Sequence, residues 1–268
     1  MSICDILRNN VKEKLARDEV VASMTVRLVR TTEIARIAAT AGFDSLYVDL
    51  EHSSFSLETC SQICMAALEA RIAPFVRVPA NTPDYIARVL EGGALGVIAP
   101  HVHSAQAAKA VVRAAKFSPL GERSNAGGLP HLHFRSFPAP EAYAALNDAT
   151  MIIVQCESAA ALAHAEEIVA VDGIDMMLVG LNDLLADWGV PGAYDDPRVR
   201  EVYAGTIALC RKHGKHCGVG GLSTRPDLVA EFVRMGARYV STGTDLAFLL
   251  GACTARAKLV REMTRDQS

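Results

Sequence analysis

The chain has 268 residues, of which 50% are hydrophobic and 21% are charged, and its formal net charge is −3. This hydrophobic fraction excludes a disordered chain, and the near-neutral charge balance argues against a nucleic-acid-binding protein, which usually carries a basic excess. The longest apolar runs fall short of the ~18–20 residues that a membrane span needs, and the charged N-terminus lacks the apolar core of a secretory signal. The sequence therefore predicts a soluble, cytoplasmic protein that binds neither membranes nor nucleic acids.

Two patterns alternate along the chain. Short apolar runs bounded by Gly, Asp or Pro are typical of buried strands, and the segments between them carry apolar residues at helical spacing. The eight strand-like runs are 20–28, 45–50, 74–78, 96–100, 151–157, 176–180, 216–221 and 239–243. Ser or Thr at the start of several helix-like segments and Gly at the end of others are the expected boundary signals.

Eight strand–helix units over about 250 residues predict an α/β fold, a (β/α)8 TIM barrel in a single domain over 1–268. A doubly wound open sheet is the rival fold, but no GxGxxG follows the first strand and no GxxxxGK[ST] occurs. Outside the repeating units we predict an N-terminal helix over 1–19 and a C-terminal helix over 246–262. A long loop over 118–147, rich in Gly and Pro, separates the fourth helix from the fifth strand.

Acidic residues stand at the ends of two consecutive strands of the predicted barrel. Chemistry in this fold takes place at the carboxyl ends of the strands, where Glu157 and Asp183 are placed side by side. Two hard oxygen ligands suit an octahedral divalent cation such as Mg²⁺ or Mn²⁺. The alternative is that Glu157 is a favourable charge at a helix start and Asp183 a helix cap. Spacing alone leaves both interpretations open.

A basic residue and a histidine complete the polar groups at the strand ends. Arg77 interrupts an apolar strand, so it must meet an anion, either a substrate carboxylate or enolate or an internal partner, Asp49 or Glu51. His52 follows these two acids, which could hold one ring nitrogen and leave the other for proton transfer. The alternative for His52 is a hydrogen-bonded loop residue.

Two further histidine pairs have the i, i+2 spacing at which side chains of an extended segment share a face. These are His101 with His103 and His131 with His133. Paired imidazoles can bind Zn²⁺, but neither pair has a carboxylate or thiol at ligand spacing. We interpret all four as loop histidines near the barrel mouth.

Taken together, these residues resemble the HpcH/HpaI aldolase family, the metal-dependent class II pyruvate aldolases. The resemblance runs from Ile6 to Met263. It is carried by AGFDSLYVDLEHSSFS, PFVRVPANTPDYIARVLEGGALGVIAPHV, IIVQCES, VAVDGIDMMLVGLNDLLADWG and GARYVSTGTD. Glu-His, Arg, Gln-x-Glu and Asp-Leu at this spacing along eight βα units are more specific than any single motif.

The resemblance implies an aldehyde-lyase that cleaves or forms 4-hydroxy-2-oxo acids through a metal-stabilised pyruvate enolate. Its partners would be a small 2-oxo acid and an aldehyde, and its cofactor a divalent cation, Mg²⁺, Mn²⁺ or Co²⁺. It also implies a homo-oligomer, a hexamer or trimer, in which the last helix packs on a neighbouring subunit. A Schiff-base mechanism is not expected, because no strand-like run contains a lysine.

The resemblance assigns roles to individual residues. Glu157 and Asp183 would ligate the metal, and Glu51 would hydrogen-bond a metal-bound water. His52 would transfer a proton with Glu91 as its acidic partner. Arg77 would contact the keto-acid oxygens, Gln155 would line the site, and Asp49 would support these groups. Family members often have Asp at the position of Glu91. The family's Gly-Pro-x-Asp-Leu-Ser reads GLNDLL at 180–185, and its Gly-x-Arg-Gly reads GERS at 121–124. Because the first of these turns is expected to hold the pyruvyl carboxylate, we expect an altered substrate preference, with Asn182 as a compensating donor.

Three other functions remain open at this point. An acyl-CoA lyase of the citramalyl- or malyl-CoA type would need basic residues for the CoA phosphates, and the 118–147 loop offers only Arg123 and Arg135. An oxaloacetate decarboxylase would use the same enolate chemistry. A binding protein on a decayed barrel is the non-enzymatic alternative, which the surviving ionisable residues disfavour.

Overall fold

The computed structural model describes residues 2–124 and 127–263. Eight strands, all parallel, close into a barrel in chain order, and β1 pairs with β8. The strands are β1 Val21–Val26, β2 Ser45–Asp49, β3 Ala73–Arg77, β4 Gly96–Ala99, β5 Met151–Cys156, β6 Met176–Val179, β7 His216–Val219 and β8 Tyr239–Thr244. This architecture confirms the predicted TIM barrel.

Helices surround the barrel. They are α1 Ile3–Ile6, α2 Asn10–Ala16, α3 Glu33–Thr40, α4 Leu57–Glu69, α5 Pro83–Glu91, α6 Ala105–Ala115, α7 Ala139–Ala149, α8 Ala159–Ala163, α9 Ala165–Val169, α10 Leu181–Asp187, α11 Pro197–Lys212, α12 Pro226–Met235 and α13 Asp245–Met263. The serines found at helix starts act as predicted, since Ser56, Ser104 and Ser158 each accept a backbone N–H three residues ahead. Within the described residues, no helix is long and apolar enough to cross a membrane.

Side-chain alternation along the strands creates two buried layers. Val48 and Val76 belong to a cluster between the strands and the helices, while Tyr47 and Phe75 belong to a second cluster that fills the barrel. The inward positions become polar where the strands end, and Asp49 and its neighbours lie there. This change from apolar to polar positions the candidate site at the carboxyl end of the barrel.

Two predicted segments have a different structure. The helix predicted over 1–19 is divided into α1 and α2, because the side chain of Asn9 accepts the backbone N–H groups of Val11 and Lys12 and so begins a new helix. The predicted loop over 118–147 contains a 3-10 turn, Pro130–Leu132, and most of α7. Buried Leu146 docks α7 on the barrel. The C-terminal helix predicted over 246–262 is α13.

Candidate active site

Asp49, at the end of β2, is fully buried and binds two arginines. Arg77 donates from Nε to Oδ1 at 2.9 Å and from Nη2 to Oδ2 at 2.6 Å, and Arg27, just beyond β1, donates from Nε to Oδ2. The backbone N–H groups of Glu51 and His52 donate to Oδ1 at 3.1 and 3.2 Å. Burial raises the pKa of Asp49, but the hydrogen bonds and charges of both arginines outweigh it and hold that pKa below its ordinary value. Asp49 is therefore the ionised centre of the cluster.

Arg77 has a second acidic neighbour. Its side chain is only 6% exposed, and Nη1 lies 2.9 Å from Oε2 of Glu51. This contact lacks hydrogen-bond alignment, so the buried Oε2 has no hydrogen-bond donor among the described residues. Burial lowers the pKa of Arg77, yet its hydrogen bonds to Asp49 and the neighbouring negative charges raise it above its ordinary value. The structure thus contains the internal ion pair of Arg77 with Asp49 and Glu51, which the sequence offered as one of two alternatives.

His101 connects two acids that are far apart in the chain. Its Nε2 lies 2.9 Å from Oε1 of Glu51 and its Nδ1 lies 2.8 Å from Oε1 of Glu157. Its backbone N–H also donates to that glutamate oxygen at 2.6 Å, from a left-handed conformation with φ of 54°. The sequence predicts His101 to be a loop residue near the barrel mouth, which is where it lies, but it does not predict the contacts with these two glutamates. The available signal was a histidine two residues past the end of the fourth strand.

Glu157 is buried between β5 and β6. Gln155 donates from Nε2 to its Oε2, so the predicted neighbours Gln155 and Glu157 do meet. A Cβ atom added at Gly180 would lie 2.7 Å from Cβ of Glu157 and 2.9 Å from both Oε2 and the Gln155 amide nitrogen. Gly180 has an ordinary φ of −84°, so this glycine is needed for the space beside the carboxylate rather than for its backbone conformation.

The altered turn after β6 places two polar side chains at the start of α10. Asp183 is exposed and makes no ion pair or hydrogen bond with any described residue. Oδ1 of Asn182 accepts a hydrogen bond from the hydroxyl of Tyr194 at 2.9 Å, a partner that the sequence did not indicate. This bond fixes the orientation of the Asn182 amide and leaves its NH₂ group available.

His52 and Glu91 are not brought together. His52 is half exposed, and its Nε2 lies 3.7 Å from Oε2 of Glu51. Glu91 ends α5, and because this helix runs antiparallel to the strands, Glu91 lies at the opposite end of the barrel. There its charge acts on the buried Arg123, whose pKa burial lowers to about 10. The expected contact between His52 and Glu91 is therefore not formed within one chain.

The second histidine pair also lies away from the mouth. His131 is buried, and its Nε2 lies 2.9 Å from the carbonyl oxygen of Ala94, which precedes β4. Burial lowers the pKa of His131 to about 4, so its ring is neutral at pH 7. The prediction that this histidine lies near the mouth is wrong, because the turn that carries it packs where the strands begin.

The donor groups at the mouth fit a hard divalent cation. The carboxylates of Asp49, Glu51, Glu157 and Asp183 lie at the same end of the barrel as the guanidinium groups of Arg27 and Arg77, so two negative charges are in excess. In residues 2–124 and 127–263, no three His, Cys, Asp or Glu side chains converge as a metal site. A cation here would have few protein ligands and would complete its shell with water and substrate oxygens, as Mg²⁺ and Mn²⁺ do. Oε2 of Glu51, which is buried and accepts no hydrogen bond, and the exposed carboxylate of Asp183, which has no hydrogen bond or ion pair with a described residue, support this fit.

Comparisons with known proteins show which family and which fold the chain resembles. The family model for HpcH/HpaI aldolase/citrate lyase matches residues 27–252. The 4-hydroxy-4-methyl-2-oxoglutarate aldolase of Chaetomium globosum is 38% identical over 222 residues, 82% of this chain and 82% of that protein. The hydroxypyruvate/pyruvate aldolase of Roseovarius nubinhibens is 33% identical, with 86% of this chain and 88% of that protein covered. A solved HpcH/HpaI aldolase from Desulfitobacterium hafniense superposes with a TM-score of 0.89 and 29% identity over 95% of this chain and 98% of that chain.

Proposed function

The chain belongs to the HpcH/HpaI aldolase/citrate lyase family and is a carbon–carbon lyase of the aldolase type, and we propose that it cleaves 4-hydroxy-2-oxo acids to pyruvate and a carbonyl compound. The observation that carries this proposal is the pairing at one barrel end of an arginine clamp, Arg77 on Asp49, with the acids Glu157 and Asp183. Arginine donors suit the oxygens of a 2-oxo acid, and the acids suit a divalent cation.

Glu157 and Asp183 would hold the cation, which is Mg²⁺, Mn²⁺ or Co²⁺ in this proposal. When bound, the cation supplies a Lewis acid that stabilises negative charge developing on the 2-oxo oxygen. Glu51 lies beside this position through its contact with His101, which also contacts Glu157. Gln155 keeps the carboxylate of Glu157 in place by donating to its Oε2.

Arg77 acts on the same substrate oxygen from a fixed position. Because Asp49 binds its Nε and Nη2 and Glu51 lies beside Nη1, the guanidinium plane cannot rotate when substrate enters. Donors that are already oriented toward developing charge lower the barrier without reorganising during the reaction. Asn182 adds a second donor, since Tyr194 holds its oxygen and leaves the NH₂ group for the pyruvyl carboxylate.

His52 is the proposed base for the bond-breaking step. It takes the proton of the 4-hydroxyl group as the C3–C4 bond breaks, and the electron pair of that bond passes to C3 to give the enolate of pyruvate. The former hydroxyl carbon leaves as a carbonyl compound, and C3 then receives a proton from protonated His52, directly or through water, so that His52 becomes neutral again. Half-exposed His52 has one ring nitrogen near Glu51, which leaves the other for this transfer. Glu91 is left out of the proton path because α5 places it at the other barrel end.

In the described part of the barrel, no lysine is placed to form a Schiff base with the substrate. None of the eight strands contains a lysine. Lys116 is buried, but it follows α6 and donates to the carbonyl oxygens of Asn147 and Thr150, near the opposite end. Burial lowers its pKa to about 8, yet its position separates it from Arg77 and Glu157.

The proposal is tested by pyruvate release from a panel of 4-hydroxy-2-oxo acids, with and without EDTA. We expect cleavage that EDTA abolishes and that Mn²⁺ or Mg²⁺ restores. Oxaloacetate and citramalyl-CoA belong in the same panel. Turnover of either one, without cleavage of any 4-hydroxy-2-oxo acid, would replace the aldolase with a decarboxylase or an acyl-CoA lyase.

We also propose that α13 packs on a second copy in a homo-oligomer, a hexamer or trimer. Only Asp245 of this helix is buried. Its exposed large apolar side chains are Leu246, Phe248, Leu249, Leu250, Leu259, Val260 and Met263. Exposing so many apolar side chains to water is unfavourable for a single chain. Packing another subunit on α13 would bury this apolar surface. Light scattering that gives the monomer mass at working concentration would refute the assembly.

A further inference from the structure

The guanidinium group of Arg27 makes a hydrogen bond to a described residue through only one of its three nitrogens. It follows β1 and continues the inward positions of Ser23 and Thr25, and the strand register places it beside Asp49. Its Nε donates to Asp49, but its two terminal nitrogens, Nη1 and Nη2, bind no described residue. The side chain is 33% exposed. Arg27 therefore presents a free, planar pair of N–H donors at the barrel mouth.

The backbone beneath Arg27 is held in place by one buried carboxylate. Asp245, at the start of α13, accepts the backbone N–H groups of Arg27, Leu28 and Val29 at 2.9, 3.0 and 2.8 Å. With Asp49 fixing Nε and Asp245 fixing the backbone, the free donors of Arg27 are positioned before any ligand arrives. A preorganised donor loses little conformational entropy on binding.

Charge is distributed unevenly around the mouth. On the β1–β2 side, Arg30 also contributes a cation: it donates to Oγ of Ser54 at 2.7 Å and lies 5.0 Å from the centre of the Phe55 ring. On the β5–β6 side lie the acids Glu157 and Asp183. A substrate with a second anionic group would place it toward the arginines, whereas a neutral sugar-like acceptor would leave the donors of Arg27 unpaired.

We infer that Arg27 binds a second carboxylate, carried on C4 of the substrate, and this inference rests on the proposed aldol function. A guanidinium edge and a carboxylate match in geometry and form two parallel charge-assisted hydrogen bonds. Asp49 and Glu51 are both in contact with Arg77, whereas Arg27 gives only its Nε to Asp49, so the donors left for a substrate carboxylate are the terminal nitrogens of Arg27. When the C3–C4 bond breaks, this carboxylate stays on C4. The second product is then itself a 2-oxo acid rather than a simple aldehyde.

The test uses two substrates that differ at one group. They are 4-hydroxy-4-methyl-2-oxoglutarate and 4-hydroxy-4-methyl-2-oxopentanoate, in which a methyl group replaces the second carboxylate. The variant is Arg27→Gln, because the amide nitrogen of Gln occupies the position of the Arg Nε along the side chain. It keeps a donor for Asp49 and removes only the terminal pair. Arg36→Gln, at an exposed arginine of α3, is the matched control.

We expect the native enzyme to prefer the diacid in kcat/KM by about 10- to 100-fold, the range for hydrogen bonds to a charged group. Arg27→Gln should lose most of this preference, chiefly through a higher KM for the diacid, and Arg36→Gln should keep it. An equal loss on both substrates, with the ratio unchanged, would overturn the inference and leave Arg27 as a support for Asp49. If the Gln variant fails to fold by circular dichroism, Arg27→Met, which also removes the terminal donors, replaces it, and an unchanged ratio there has the same meaning.

The outcomes separate this inference from the function on which it rests. If the native enzyme cleaves neither compound, nor any other 4-hydroxy-2-oxo acid, the aldolase function itself fails. If it cleaves both compounds at similar kcat/KM, the aldolase function stands and the diacid specificity is wrong.

Discussion

Arg77 and Asp49 form a doubly hydrogen-bonded ion pair between adjacent positions of β3 and β2, with 2.9 Å from Nε to Oδ1 and 2.6 Å from Nη2 to Oδ2. Both side chains are buried, so their desolvation cost must be offset by good geometry and by further partners. Asp49 has such partners in Arg27 and in two backbone N–H groups. The pair therefore holds cationic donors at the mouth of the barrel in one orientation.

Replacing Arg77 by Lys keeps the charge and removes the planar fork. Lysine cannot make the two parallel bonds to Asp49 and also present an oriented donor to the substrate. We expect kcat for retro-aldol cleavage to fall by about 100-fold or more, the effect of losing one preorganised donor to a developing oxyanion. Steady-state kinetics beside Arg88→Lys, an exposed arginine of α5, measure this. Native-like kcat in the Lys variant would remove Arg77 from the mechanism.

Asp49→Asn should destabilise the fold in a pH-dependent way. The variant leaves Arg77 buried with only Glu51 as an acidic neighbour, so we expect a loss of about 3 kcal/mol in the free energy of unfolding at pH 7. Because the pKa of Asp49 is lower in the folded state, its ionisation stabilises the fold above the unfolded pKa of about 3.9. That contribution is lost as the pH falls through the folded pKa.

Urea unfolding of the native protein and the Asn variant at several pH values tests this linkage. The difference between their unfolding free energies should be full at pH 7 and should shrink below about pH 4. A difference that stays constant to low pH would show that Asp49 is not ionised in the folded state.

Asp183→Asn should weaken metal binding without harming the fold. Asp183 is exposed and has no partner among the described residues, so no native contact is lost. Manganese affinity, measured from the paramagnetic resonance of free Mn²⁺, should fall by at least about tenfold, since a neutral amide is a weak ligand for a hard cation. Asp187→Asn on the same helix is the control and should bind Mn²⁺ normally. Native-like Mn²⁺ affinity in both variants would remove Asp183 from the metal site.

Gly180→Ala tests the space beside Glu157. The added methyl group would lie within 3 Å of the side chains of Glu157 and Gln155, so the carboxylate must move. We expect lower activity and lower Mn²⁺ affinity, together with a loss of about 1–3 kcal/mol in the free energy of unfolding, because the clash includes the Cβ atom of buried Glu157. Gly205→Ala is the matched control, because no atom lies within 4 Å of its added methyl group. In the middle of α11 it should stabilise the protein by about 0.5–1 kcal/mol.

The barrel was predictable because its strands are buried on both faces. Such strands appear in the sequence as short apolar runs, and eight of them followed by helical segments admit few other folds. The Ala-rich helix α7 was missed because Pro138 and Pro140 at its start made the segment resemble a loop. Polar residues that end strands, such as Glu157, were identifiable for the same reason: they interrupt an apolar run.

The contacts between those residues were not predictable from spacing. His101 meets Glu51 and Glu157 only because closure of the barrel brings the ends of β2, β4 and β5 around one mouth. The sequence is enough to identify Arg27 as the inward-facing residue just beyond β1. Its fixed orientation at the mouth could not be predicted, because it depends on the hydrogen bond to Asp49. Glu91 shows the converse, since it was matched to a family position but ends α5, and the direction of this helix keeps it away from His52 within one chain.

In the proposed mechanism, Glu157 and Asp183 together hold a divalent cation to which a 2-oxo acid binds. Crystals grown with Mn²⁺ and oxalate, a stable analogue of the pyruvate enolate, allow the anomalous scattering of manganese to be located directly. We expect one strong anomalous peak within ligand distance, about 2.0–2.3 Å, of an oxygen of each carboxylate, with oxalate bound to the same ion and contacting Arg77. An active enzyme whose crystals show no anomalous peak between these two residues would contradict it.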